Sequence, residues 1–333
     1  LKHKIILISR LALVSSFLFA DGSTPKDNNY VEPGIIIDHQ IGNQLNNYIA
    51  TLPVTNASQY SNTEINNYSL SNNTGSVLGI IGTTHFATST SRDGGITYEF
   101  TNCGQTGRSG PTQAQANTQY AGTSLENLVT INTQGIQEWT VPTSGTYRIE
   151  ANGAQGGGIY GGNGARMVGD FDFIAGDILK ILVGQKGVHN PSNSTGRSSG
   201  GGGGTYIAKY SGDPNDTPLL VAGGGGGEGV SQNCTDVETF LSGFGGGTGN
   251  DGLPGRGSRC GPTTIGTGGN GGTHPSNCNT GSSGGAGFYG NSVAYNSSSW
   301  GDKAYSFING GQGADQRSSG YGADGGFGGG GAG

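Results

Sequence analysis

Two stretches decide how this chain is read: Gly200-Gly-Gly-Gly-Gly204 running into Thr205-Tyr206-Ile207-Ala208, and Pro218-Leu219-Leu220-Val221-Ala222 running into Gly223-Gly-Gly-Gly-Gly227. In each, a glycine run abuts a short apolar segment with strand character. Ordering a glycine loses more backbone entropy than ordering any other residue, so such runs usually serve as slack linkers. Linkers, however, are Gly and Ser alone. Here the runs recur at Gly245–Gly247, Gly325–Gly326 and Gly328–Gly331, interleaved with strands, with isolated aromatics (Phe240, Phe244, Phe288, Tyr289, Trp300, Phe307, Phe327) and with three of the four cysteines. The pattern predicts ordered glycine segments in the left-handed threefold helix of polyproline II. That helix has no internal hydrogen bonds, so its N–H and C=O groups must pair with neighbouring segments, which side-chain-free backbones approach closely enough to do.

Working back from the runs, the segment from Ile96 to about Leu182 alternates β-branched and aromatic residues with polar ones. Ile96–Phe100, Gln137–Val141, Thr146–Glu150, Val168–Phe173 and Ile178–Val183 read as strands. Pro142–Gly145 marks one turn and Ala175-Gly176-Asp177 a tight hairpin, so the strands read as an antiparallel meander. No stretch shows sustained helical periodicity. The expected class is all-β, a sandwich or jelly roll carrying a bundle of packed polyglycine helices.

Residues 21–95 are rich in Asn, Ser and Thr, with apolar islands at Ile35, Ile36 and Ile37 and at Val77, Leu78, Ile80 and Ile81. They read as an N-terminal arm or small β unit whose uncovered strands could complete a neighbour's sheet. Residues 1–20 follow the layout of a secretory signal: basic Lys2, Lys4 and Arg10, apolar Ile5–Ile8 and Leu11–Leu18, and small Ala20. Export is the expectation, with the glycine-rich domain spanning 96–333. No later segment reaches the roughly 20 apolar residues of a spanning helix, so no membrane span is expected.

Composition narrows the function classes. Charged residues are 11% and Gly supplies 70 of 333, about three times its usual share. The net charge of −6 becomes −9 when the three cations of residues 1–20 are removed, and no basic stripe exists for a nucleic acid. Cys103, Cys234, Cys260 and Cys278 are an even count in an exported chain, which makes them disulfide candidates with three possible pairings. A zinc site from Cys260, His274 and Cys278 is the alternative, though its spacing fits no common pattern. Asn56, Asn67, Asn72, Asn193, Asn215, Asn233 and Asn296 are glycosylation candidates.

Chemical motifs are weak. Gly196–Gly200 and Gly281–Gly285 fit G-x-S-x-G, but neither sits between a buried strand and a helix. Gly246–Leu253 fits a calcium nonapeptide, echoed at Gly311–Asp315 and Gly320–Asp324, yet a calcium β-roll needs more stacked copies. Neither a catalytic site nor a cofactor is expected, calcium being the weak alternative.

Several pieces together carry a resemblance: Phe100-Thr-Asn-Cys103-Gly104, Gly110-Pro111-Thr112-Gln113-Ala114-Gln115, Gly135-Ile136-Gln137-Glu138-Trp139 with Val141-Pro142, Gly153-Ala154 and Ile181-Leu182-Val183-Gly184-Gln185. From about Phe100 onward the chain resembles the extracellular glycine-rich region of the anaplastic lymphoma kinase and leukocyte tyrosine kinase receptors. The resemblance implies a jelly-roll sandwich similar to tumour necrosis factor, from which a bundle of glycine helices grows. It also implies a local disulfide partner for Cys103 shortly after the Gln-Ala-Gln motif, where this chain has Ala116 instead. Two roles follow from these readings. The first is a self-associating extracellular filament, matrix or surface subunit with N-terminal strand exchange; the second is an adhesin or ligand-binding module for an extracellular protein or glycan.

Overall fold

The computed structural model describes residues 32–39, 96–190, 198–212, 216–230, 240–241, 246, 265–272, 284–293, 303–316 and 322–332. Two antiparallel sheets face one another. The first contains β1 (Gly34–His39), β2 (Thr97–Thr101), β5 (Gly145–Asn152) and β6 (Arg166–Phe173) in the order β2-β1-β5-β6. The second contains β3 (Val129–Thr133), β4 (Ile136–Thr140), β7 (Ile178–Leu182), β8 (Thr205–Lys209) and β9 (Thr217–Ala222) in the order β3-β4-β7-β8-β9. An all-β sandwich is therefore observed, and the strand positions follow the period-2 alternation of the sequence.

Between the sheets, inward residues form one apolar core. Ile35 and Ile37 of β1, Phe100 of β2, Tyr147 and Ile149 of β5, Leu179 and Ile181 of β7 and Ile207 of β8 are fully buried around Trp139. Trp139 makes ring contacts with Tyr98, Phe100 and Tyr147 at centroid separations of 4.7, 6.0 and 6.1 Å. Tilted and edge-on geometries are the favoured arrangements for aromatic quadrupoles.

Three expectations are corrected. The meander is not one: β4 lies in the second sheet and β5 in the first, so Pro142–Gly145 carries the chain across the sandwich. Likewise Ala175-Gly176-Asp177 joins β6 to β7 across the sheets and is no hairpin. The two crossovers run side by side, with Val141 N–H donating to Asp177 O at 2.8 Å and Gly176 N–H to Val141 O at 2.9 Å. Alternation reveals which face a residue takes, and both strands of each pair do face the core; it does not reveal which strand lies alongside.

The third correction concerns Ile35, Ile36 and Ile37. Rather than standing uncovered, β1 is inserted between β2 and β5, with Ile35 opposite Phe100 and Ala151 and Ile37 opposite Tyr98 and Ile149. Residues 32–39 thus belong to the sandwich. Val77, Leu78, Ile80 and Ile81 lie outside the described residues.

One helix, α1 (Gln113–Tyr120), went unread. Its signal was local: Thr112 and Gln115 form a reciprocal capping box, in which the Thr112 N–H donates to Gln115 Oε1 at 2.8 Å.

Beyond the sandwich, five glycine segments continue strands. Residues 153–157 extend β5, 162–165 precede β6, 184–188 extend β7, 199–204 precede β8 and 223–228 extend β9. Their backbones are cross-linked at three-residue steps. Ala154 and Gly157 donate to Gly203 and Gly200; Gly202 and Ser199 donate to Gly225 and Glu228; Gln185 and Val188 donate to Phe327 and Asp324; Gly225 and Glu228 donate to Ala154 and Gly157, all at 2.8–2.9 Å. A step of three, with partners outside the segment, accounts for the buried amides of runs that make no bonds of their own.

Candidate interaction site

The feature that sets β1 apart is its connection. It is bonded on both sides, five residues paired with β2 and six with β5, yet the chain reaches β2 only after residues 40–96. Its inward side is apolar until the last residue, His39, which is 7% exposed and stacked on Tyr147 at 4.5 Å with planes 14° apart. The Ser144 backbone hydrogen-bonds to the ring, and Nε2 is buried with no partner. Burial depresses the His39 pKa, opposed by that hydrogen bond. Burial, with the nearby Tyr98, pushes the Tyr147 phenol up to about 12, and its hydroxyl donates to Thr143 O at 2.7 Å.

Outward, β1 carries Ile36 between Glu99 and Glu150, and Asp38, whose carboxylate accepts the Thr97 hydroxyl at 2.6 Å. Next along that face, Glu150 is held below the ordinary carboxylate range chiefly by its hydrogen bonds to Arg166, at 2.6 and 2.7 Å. Arg148 pairs with Asp170 at 3.3 Å.

The glycine segments form the second candidate surface. A Cβ on Gly153, Gly156, Gly203 or Gly225 would collide with the carbonyl of Gly223, Gly226, Phe327 or Gly162 respectively. The segments therefore form a close-packed body with almost no side chains inside. At its margins stand Ile159 (81% exposed) with Tyr160, and Tyr289, Val293 and Ile308. Phe288, Phe307 and Phe327, read from sequence as isolated aromatics, instead cluster with Tyr206, Leu182 and Ile136 on the outer face of the second sheet.

Of the sequence-derived residues, Cys103 is described: its thiol is free and buried, with Sγ 3.8 Å from Tyr120 Oη. Ala116, which stands where the resemblance implies a second cysteine, is buried in the same core. Burial raises the thiol pKa, partly offset by its hydrogen bonding with Tyr120 and Thr101, and burial likewise raises that of Tyr120. Cys234, Cys260, Cys278 and His274 lie outside the described residues, as do Asn56, Asn67, Asn72, Asn193, Asn215, Asn233 and Asn296.

Among the described residues no cluster of three or more His, Cys, Asp and Glu side chains could hold a metal. Asp315 of the weak calcium pattern is ion-paired with Arg108 at 2.6 Å. The G-x-S-x-G segment brings Ser199 within 3.3 Å of His189 Nδ1, but Ser199 Oγ also accepts the Asn190 N–H at 3.1 Å and is buried, as a turn-closing acceptor would be. No helix among the described residues is long and apolar enough to cross a membrane.

No family model matches the chain. It is similar to the mouse leukocyte tyrosine kinase receptor, with 38% identity over 99 residues, 27% of this chain and 11% of that protein. The chain thus spans about a tenth of the length of that relative. The match is compatible with an extracellular location.

Proposed function

We propose that this chain is a secreted, non-catalytic structural protein that associates with copies of itself outside the cell, as a filament, matrix or surface subunit, and that β1 is the strand exchanged between copies. The observation that carries the reading is β1 itself, a central strand joined to its nearer partner β2 only through residues 40–96. A strand on so long a connection can seat in a neighbour's slot and regain the same backbone bonds and the same pockets for Ile35 and Ile37, which makes exchange a low-cost route to assembly.

In this reading the glycine segments are polyglycine II helices, whose threefold symmetry matches the three-residue step of their bonds. Projecting from a jelly-roll sandwich, they would make a stiff, weakly charged body suited to a structural subunit. Electron microscopy of the concentrated protein tests the proposal. Fibres are expected, and a peptide of residues 32–39 added in excess should shorten them by filling vacant slots. Dispersed particles at every concentration would refute self-association.

A second reading, recognition of an extracellular protein or glycan, is favoured by the match to a receptor and by the exposed Ile159, Tyr160 and Tyr289. Aromatic anchors commonly dominate binding. Under it, the same micrographs show single particles and the tips carry the affinity.

A further inference from the structure

We propose that β1 is an acid-labile strand: protonation of His39 frees it from the slot between β2 and β5, and so frees that slot for β1 of a second copy. The inference rests on the exchange reading for its consequence, but not for its first step.

His39 closes the end of β1 where the long connection leaves. Its N–H donates to Ile96 O at 3.3 Å, so the residue belongs to the ladder. Its ring lies flat against Tyr147 and is 7% exposed. One ring nitrogen is engaged by the Ser144 backbone, and the other, Nε2, faces no acceptor. In the neutral ring Nε2 is a bare lone pair without a donor, the lesser cost of the two protonation states. A second N–H on Nε2 would be a buried donor without an acceptor, on a cation removed from water.

No charged group facing the ring offsets that charge. From β5 comes Tyr147, whose phenol is neutral at ordinary pH; from the turn before β5, Ser144; from β2, the neutral Tyr98, and from the residue before it the Ile96 carbonyl. On β1 itself, Asp38 points to the opposite face and accepts the Thr97 hydroxyl, while its cross-strand neighbour Arg148 pairs with Asp170. Among the described residues His39 forms no ion pair with a carboxylate. Two contributions favour the cation, the Ser144 backbone hydrogen bond and the Tyr147 ring face, and burial outweighs the first.

The sign follows. The folded ring has a depressed pKa, whereas on a released strand it titrates near its ordinary value of about 6.5. Above that pH both forms are neutral and the strand is held. As pH falls below it, the released form binds a proton that the seated form refuses, and release gains up to tenfold per pH unit.

Hydrogen exchange on the full chain tests this, comparing protection factors of Ile35–His39 at about pH 7.5 and about pH 5, with β7 as the internal reference. Protection of β1 should fall, by up to about 30-fold, while β7 holds. The variant His39→Phe, which keeps the stack on Tyr147, should flatten the difference, with His39→Gln as a second neutral replacement should Phe disturb the packing. Equal β1 protection at both pH values, or the same fall in both neutral variants, overturns the proposal. Acid release without polymers at either pH leaves this inference standing and refutes the exchange reading.

Discussion

Five of the glycine segments are strands of the sandwich continued past their ends, and the two regions are held by opposite means. In the sandwich, side chains occupy the space between backbones: Trp139, Tyr147, Phe100 and their aliphatic neighbours fill a core whose removal from water is the stabilising term. In the glycine region the backbones themselves fill the space, and what holds them is an array of N–H···O bonds at 2.8–3.1 Å with no side chain between. Each such bond contributes only about 0.5–1.5 kcal/mol net. The lesson is that one region fails by losing volume and the other by gaining it.

Removing volume from the sandwich is the largest expected effect. Trp139→Ala empties the site where Tyr98, Phe100 and Tyr147 converge, and the cost should be about 3–5 kcal/mol. Denaturant unfolding reads it directly, and a loss under about 1 kcal/mol would mean that the core collapses around the gap. Adding one methyl to the glycine region comes next. Gly203→Ala places a Cβ against the Phe327 carbonyl, inside a segment bonded to both Ala154 and Gln185, and should destabilise by about 3 kcal/mol. Gly176→Ala is the control, since a Cβ there meets nothing although φ is +94°, so it carries only the conformational penalty of about 1 kcal/mol. If the two alanine variants unfold alike, the glycine segments are not close-packed and the contrast breaks.

How much of this was legible varies with the range of the signal. Strand positions were, because alternation such as Thr146-Tyr147-Arg148-Ile149-Glu150 is a local property and β5 buries Tyr147 and Ile149 as that alternation requires. The need of the glycine runs for partners was also legible, from the simple accounting of amides that lack internal acceptors. Which segment pairs with which was not: Val188 finds Asp324 across most of the domain, and no residue in either announces it. The position of β1 was hidden for the same reason, since an isoleucine triplet looks identical whether it lies in an arm or between two strands. His39 could have been noticed as the third member of the inward set Ile35, Ile37, His39, the one polar residue on a buried face.

The smallest effect concerns the seam where the two regions meet, and it decides whether they are one folding unit or two. Thr205 is fully buried at the start of β8. Its hydroxyl donates to Asn152 O, the last residue of β5, at 2.7 Å, and accepts the Gly184 N–H at 3.0 Å. One side chain thus ties the first sheet to the second at the point where both give way to glycine. Thr205→Val keeps the β-branched shape and deletes both bonds, leaving a buried carbonyl and a buried N–H unpaired, for an expected loss of about 1–3 kcal/mol. Thr205→Ser, which keeps the hydroxyl, should recover most of it. If the seam couples the regions, the valine variant still unfolds in one transition, because neither half can order its strand ends alone. Were the sandwich and the glycine segments instead to melt separately in Thr205→Val, with core tryptophan fluorescence outlasting glycine amide protection, the glycine body would be an appendage held on by a few contacts and not a continuation of the strands.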